Sequence, residues 1–509
     1  MQEIASTPFP TKSYPEDPVI IEGLNSRFMR HNLVVPVEKR ENALTLAMSR
    51  PEDAETLEAV RMATGLEVKP VLGREDDILD AIERLYGDGA SSMERIVSEI
   101  QGEEVVEGDI AEQSVEVLRD MASEAPVIRL VNLIISKGIE IRASDIHLEP
   151  FEDRFRIRYR IDGVLHEQEA PPRRLQSAVI SRVKIMAKLD IAERRLPQDG
   201  RIKLMVGGKE VDFRISTIPT MFGESVVMRI LDRAAVILDL EKLGFPASLQ
   251  DRYESLIHKP YGMILVTGPT GSGKTTTLYA SLERINTPDR KIITVEDPVE
   301  YQLMGVNQIQ VKPQIGLTFS TGLRSIVRQD PDVILIGEIR DFETAEIAVQ
   351  SALTGHLVFS TLHTNDAAGA VSRLLEMGVE DYLLSSCLIA IMAQRLVRVL
   401  CPACRKKAEV KPALLKEMEL EVGDKPVQVY EPVGCEACSQ TGYRGRTGIH
   451  ELLPVTNKIS NLILGRSTAG QIKRAGMEDG MKTLRMDCWE KVRAGITSLS
   501  ELIRVTFEE

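Results

Sequence analysis

A multidomain α/β chain is predicted, on three observations. The sequence has 509 residues, more than the roughly 100–200 that one domain usually holds. From Met263 onward, apolar strand runs alternate with helical patterns through Gly-containing loops, the order of an α/β nucleotide-binding domain. Two C-x-x-C pairs, Cys401/Cys404 and Cys435/Cys438, interrupt that order as an insertion. Six cysteines in so long a chain are too few for a disulfide framework, so the pairs read as metal ligands.

Composition narrows the class further. Lys and Arg number 63 against 76 Asp and Glu, a formal charge of −13, with 43% hydrophobic and 27% charged residues. That profile is globular, and its sign disfavours nucleic acid as the partner. The start, MQEIASTPFPTKSYPEDP, has neither a basic nor an apolar signal region, so no secretory leader is expected. Apolar runs such as Cys387 to Ala393 fall far short of the ~20 residues that span a bilayer.

In chain order, the Pro-rich start before Asp17 reads as a tail. Residues 28–86 read as a small α/β module. LVVPVEK and ALTLAMS are strand-like, ETLEAVRMATG is a helix closed by Gly65, and DDILDAIERLYG is an amphipathic helix closed by Gly87. Between Asp88 and Glu124, eleven acidic residues face only Arg95 and Arg119, a local charge of −9, so most of the net charge sits in one expected linker. PVIRLVNLIISKGIE then reads as a helix ending near Gly138. RFRIRYRIDGVL alternates Phe155, Ile157, Tyr159 and Ile161 with Arg154, Arg156, Arg158 and Arg160 up to a hairpin turn at Asp162-Gly163. RIKLMVGGKEVDFRIST repeats the plan around Gly207-Gly208. This second domain is α+β, with one strongly basic strand face.

The chemistry-bearing motifs lie beyond it. Gly268, Pro269, Thr270, Gly271, Ser272, Gly273, Lys274 and Thr275, followed by Thr276, satisfy G-x-x-x-x-G-K-[ST] between an apolar strand and a helix. Such a loop turns backbone N–H groups onto the phosphates of ATP, with Lys274 reaching the β/γ-phosphates and Thr275 ligating Mg²⁺. KIITVEDPVEY ends a strand in Glu296 and Asp297, and DVILIGEIRD ends one in Glu338. Acids there can hold Mg²⁺ through water or polarise an attacking water. TGHLVFSTLHTND sets His356 and His363 on either side of a core strand, as sensors that hydrogen-bond the γ-phosphate or a catalytic acid, or as structural residues. Arg324 and Arg328, four apart, share a helix face that fits phosphate contact or plain solvation equally. The four cysteines suit tetrahedral, structural Zn²⁺, with no open position for catalysis.

Together ASDIHLEP, GPTGSGKTT, TVEDPVEY, DVILIGEIRD, TGHLVFSTLHTND and the tetracysteine insertion resemble the secretion ATPase superfamily, most of all its type II secretion system E components. The resemblance runs from about Pro126 to the C-terminus. It implies a RecA-like P-loop ATPase domain over 236–509 with a zinc-binding insertion at 397–445. Before it come an α+β, PAS-like domain over 126–235, an acidic linker over 87–125 and an N-terminal docking domain over 1–86.

Function follows from the same likeness. It implies a homo-oligomeric ring, usually of six subunits, peripheral at the cytoplasmic face of the inner membrane and driving pseudopilus assembly. Its partners would be a polytopic platform protein and the cytoplasmic domain of an inner-membrane protein, the latter docked by the N-terminal domain. Glu338, Glu296 and Lys274 would be catalytic, Asp297, His356 and His363 Mg-associated or sensing, and Arg214, Arg229, Arg324 and Arg328 on ATP. Paired R-L-G motifs, which bind a cyclic dinucleotide in some relatives, are absent between Phe28 and Tyr86. A type IV pilus assembly ATPase shares every catalytic motif, and from another class a nucleic-acid translocase also combines a P-loop with a zinc knuckle. A third reading is a nucleotide-switched adaptor with negligible turnover.

Overall fold

The computed structural model describes residues 14–15, 19, 21, 24, 26–40, 43–86, 115–206, 209–231, 239–418, 420 and 423–506. Most of the Pro-rich start, Gly87 and most of the expected acidic linker lie outside the described residues. The chain forms two compact units. One comprises Met1–Ile134, Phe151–Phe155 and Glu169–Lys184, and the other Ile135–Pro150, Arg156–Gln168 and Ile185–Glu509. A finer division at 86, 125 and 235 is proposed from the sequence.

In the first unit β1 (Val34–Arg40) pairs antiparallel with β2 (Ala43–Met48), and β3 (Glu67–Leu72) runs parallel to β2. Val34, Leu44, Leu46, Val60, Val68, Ile78 and Ile82 form its core. The helix Ala54–Thr64 starts at Asp53, whose carboxylate accepts the N–H of Thr56, and stops at Gly65 with φ 68°. That left-handed stop is where glycine is favoured. β3 is not legible in the sequence, because Pro70 and two charged residues hide its alternation. As an edge strand it tolerates the proline.

The second unit contains two large sheets and a small two-stranded one. The smaller of the large sheets has the order β6-β5-β4-β9-β8-β7, with β4 (Asp145–Pro150), β5 (Phe155–Ile161), β6 (Val164–Gln168), β7 (Gln198–Val206), β8 (Lys209–Thr220) and β9 (Gly223–Leu231). The β5–β6 hairpin turns at Asp162 and Gly163, with φ 48° and 88°, the positive values of a type I′ turn. The expected basic face is largely neutralised. Arg158 lies 2.6 Å from Glu149, Arg156 3.5 Å from Glu167 and Arg160 3.8 Å from Asp145. The helix Ala125–Glu140 passes through Gly138 instead of ending there. A Cβ at Gly138 would stand 2.7 Å from Ile146 Cδ1, so this glycine serves close packing and not termination.

The larger sheet has seven strands, in the order β12-β11-β13-β14-β10-β15-β18. They are β10 (Gly262–Thr267), β11 (Ile292–Glu296), β12 (Val306–Gln310), β13 (Val333–Ile336), β14 (Leu357–Leu362), β15 (Leu388–Leu400) and β18 (Tyr443–Pro454). All neighbours pair in parallel except β15 with β18. β10 is buried throughout, with Met263 and Leu265 in one apolar cluster and Ile264 and Val266 in another, the period-two sorting of a strand covered on both faces. Parallel pairing brings the loops after β10, β11, β13 and β14 to one edge of the sheet, where open α/β sheets bind ligands. Between β15 and β18 in the chain stands a two-stranded antiparallel sheet of β16 (Lys406–Val410) and β17 (Val427–Glu431), with the short helix Pro412–Glu417 in the connection.

Candidate active site and metal centre

The loop after β10 is built around three glycines of positive φ: Gly268 at 146°, Gly271 at 79° and Gly273 at 86°. Side chains rarely adopt this region. A Cβ on Gly268 would also stand 2.3 Å from the Gln394 carbonyl oxygen. The helix Lys274–Ile285 begins where the loop ends, so its unpaired N–H groups face the loop. The Lys274 ammonium donates to the carbonyls of Gly268 and Pro269 at 2.7 and 3.1 Å. Ser272 Oγ is buried inside the loop with no hydrogen-bond partner among the described residues. The cradle and the orphaned hydroxyl fit a polyphosphate.

This loop forms one wall of a cleft of about 740 Å³. Glu296, Asp297, Glu338, Arg340, His363 and Arg229 also line it. Glu338 follows β13. One of its oxygens takes a short bond from Arg340, and the other lies 3.2 Å from His363 Nε2. Burial raises the Glu338 carboxyl, but Arg340 and His363 outweigh it and hold the group below its usual value. Glu296, at the end of β11, is almost wholly buried. Tyr279 O–H donates to one oxygen, and Thr294 Oγ1 and Gln308 Nε2 donate to the other at 2.6 and 3.1 Å. Three donors fix that carboxylate in place.

Arg214 and Arg229 face each other across β8 and β9. Arg229 Nε lies 2.9 Å from Asp145 and lines the cleft. Arg214 instead donates to the Val299 carbonyl at 3.1 Å and pairs with Glu300 at 3.2 Å, gripping the loop after β11.

The four cysteines flank the β16–β17 pair in the chain, and their sulfurs all lie within 4.8 Å of one another. Cys401–Cys435 and Cys404–Cys438 separations are 3.9 Å, and Cys435–Cys438 is 3.7 Å. A tetrahedron of Zn–S bonds near 2.3 Å has edges of about 3.8 Å. The set therefore fits a tetrahedral thiolate-bound metal. Backbone N–H groups of Gly434, Cys435 and Gly442 point at the Cys404 and Cys438 sulfurs from 3.2–3.3 Å. Burial raises the Cys438 thiol, yet the N–H groups of Cys435 and Gly442 prevail and pull it down to about 7.

Residues 120–504 match the family model described as type II/IV secretion system protein. The chain belongs to the type II/IV secretion system ATPase family. An MshEN domain model matches residues 9–92. The type II secretion system protein E of Xanthomonas campestris is 52% identical over 98% of this chain and 86% of its own length. The type IV pilus assembly ATPase PilB of Myxococcus xanthus is 47% identical over 97% of this chain and 87% of its own. The Legionella pneumophila ATPase DotB, 19% identical, superposes over 75% of this chain and 96% of its own with a TM-score of 0.55, a likeness of fold. The fold class read from the sequence is the one observed.

Not every expected residue of this secretion ATPase reaches the cleft. His356 sits at the opposite end of β14 from His363, roughly 20 Å away along a six-residue strand. Its Nδ1 is 2.8 Å from the Ser351 carbonyl, at the end of a helix, and His356 does not line the cleft. Arg324 pairs with Glu343 at 2.7 Å, and Arg328 donates to the Arg324 carbonyl at 2.6 Å. Both are exposed, and neither lines the cleft. Spacing could not place them, because two residues on one face of a helix say nothing of what that face meets. Conversely, the cleft includes Arg340, whose one signal in the sequence is its place inside GEIRD, and Tyr279, which looks there like an ordinary core aromatic.

A pH dependence follows from the cleft. Burial pushes the Lys274 ammonium down to about 8, with Glu338 opposing. Above that pH the free enzyme holds a neutral amine, a poorer partner for phosphate. kcat/KM reports free-enzyme ionisations. It is therefore expected to fall as pH rises through about 8, while kcat stays level because bound polyphosphate retains the proton. A kcat/KM for ATP that is flat between about pH 7 and 9.5 would contradict this.

Proposed function

We propose that this chain is the ATP-hydrolysing motor of a type II secretion system, a protein-secreting ATPase that powers pseudopilus assembly and export of folded proteins across the outer membrane. The observation carrying the reading is the convergence of the glycine cradle, Lys274, Glu338 and Arg229 on one cleft. Phosphoryl transfer needs charge neutralisation and alignment more than covalent chemistry. Glu338, aimed by Arg340 and His363, orients the attacking water and takes its proton. Lys274 moves from the loop carbonyls to the γ-phosphate as charge develops there. Glu296, held in place by Tyr279, Thr294 and Gln308, assists Mg²⁺ or the water.

Thr275, Glu296 and Asp297 would hold Mg²⁺, which supplies neutralisation of the β/γ-phosphates. Arg214, through Glu300, ties β8 to the loop after β11, so ATP that repositions that loop moves the strand with it. The four cysteines hold structural Zn²⁺. Arg324 and Arg328, exposed in the single chain, would meet phosphate across a subunit contact in a hexameric ring, a heterologous interface that closes on itself. The ring would work peripherally at the cytoplasmic face of the inner membrane. Its N-terminal domain would dock on the cytoplasmic domain of an inner-membrane protein, beside a polytopic platform protein.

Pilus extension is the second reading, favoured by the similarity to the Myxococcus pilus assembly ATPase. Deleting the gene and scoring both exoprotein release and surface pili separates the two. Loss of release with normal pili is expected, and the reverse pattern would overturn the secretion assignment.

A further inference from the structure

β15 runs beside β10 and on to the first metal-site cysteine. On it Gln394 is 2% exposed, and no sequence motif points to it. Its Nε2 donates to the Ser272 carbonyl at 2.9 Å, and its Oε1 accepts Thr277 Oγ1 at 2.7 Å. A carbonyl can only accept, so Ser272 dictates which way the amide faces, and the Thr277 hydroxyl must donate to the oxygen that remains. The same residue closes on the loop glycines. A Cβ on Gly273 would stand 2.8 Å from Gln394 Nε2, as one on Gly268 would strike the Gln394 carbonyl.

The consequence is geometric. In a trans peptide unit the C=O and N–H point in opposite directions. The Gln394 bond draws the Ser272 carbonyl toward β15 and so turns the Gly273 N–H, in the same peptide unit, away from β15. Gly273 is the N-cap of the helix Lys274–Ile285, where unpaired donors and the positive end of the helix dipole collect.

We propose that Gln394 is a positioning residue for nucleotide binding: its amide, locked by Thr277, aims the Gly273 N–H into the phosphate cradle. The inference rests on the reading of this cleft as an ATP site. A bond made to polyphosphate in ground and transition states alike changes affinity and not turnover.

The test uses the full chain, with ADP–Mg²⁺ affinity by calorimetry and steady-state ATP hydrolysis. Gln394→Leu is expected to raise both Kd for ADP and KM for ATP about tenfold, with kcat within about twofold of wild type. Thr277→Val should weaken binding by about threefold or more, whereas Thr277→Ser, which keeps the hydroxyl, should match wild type. If Gln394→Leu does not fold, the Thr277 pair decides. Unchanged binding in Thr277→Val, or equal loss in Val and Ser, overturns the proposal. So does Gln394→Leu with unchanged Kd, or with kcat lost at constant KM. A wild-type chain that binds ADP and turns over ATP alongside an unaffected Gln394→Leu overturns this inference alone. A wild-type chain that does neither overturns the ATP-site reading itself.

Discussion

Lys274→Ala is expected to cut ATP turnover on the order of 100- to 1,000-fold, the scale of removing one preorganised donor to developing charge. The side chain ends at the mouth of the glycine cradle, where its ammonium rests on the Gly268 and Pro269 carbonyls. These are weak holds that a γ-phosphate would displace. Stability should barely change. Burial lowers the Lys274 pKa, so the folded protein disfavours its charge, and truncation relieves that desolvation instead of removing a needed pair. Thermal melting near the wild-type temperature combined with lost hydrolysis is the expected pair of results. Normal turnover in the variant would sink the assignment of this cleft to ATP hydrolysis.

The double substitution Cys401→Ser, Cys404→Ser should remove bound zinc, about one ion per chain in the wild type, and lower the melting temperature. The β16–β17 sheet has only two strands, and an isolated pair of strands is marginal in water. Metal binding to four thiolates is worth roughly 10–16 kcal/mol in small zinc units, far more than such a pair of strands can supply. Further anchors remain. Arg405 donates to the Gly495 carbonyl at 2.5 Å and stacks over Tyr430 at 4.7 Å, and Arg398 pairs with the buried Glu501 at 2.8 Å. Unfolding should therefore be confined to the insertion, and nucleotide binding should fall less than zinc content does. Stoichiometric zinc in the double variant would contradict the site.

How much of this was legible beforehand depended on how local each determinant is. The phosphate cradle was, because eight consecutive residues carry the turn, the lysine and the helix start. The hairpin at Asp162-Gly163 and the helix stop at Gly65 were legible for the same reason, since each needs a positive φ at one named residue. Gly138 looked like another stop, yet its role is a close approach to Ile146, a contact made by a different element. The alternating arginines of β5 looked like a free basic face, but Glu149, Glu167 and Asp145 from other strands neutralise it.

By itself the sequence determined the α/β class, the nucleotide loop, the acids at strand ends and the pairing of two cysteine knuckles. These depend on backbone preference, periodicity and spacing within a dozen residues. Only the tertiary structure decided that His356 stands at the wrong end of β14 and that Arg324 and Arg328 lie outside the cleft. It alone showed that Tyr279 and Gln308 pin Glu296, and that Gln394 braces the loop from a strand more than a hundred residues away. Those facts are set by which strands become neighbours in the sheet, and hydrogen bonds across that distance leave no periodic trace in the chain.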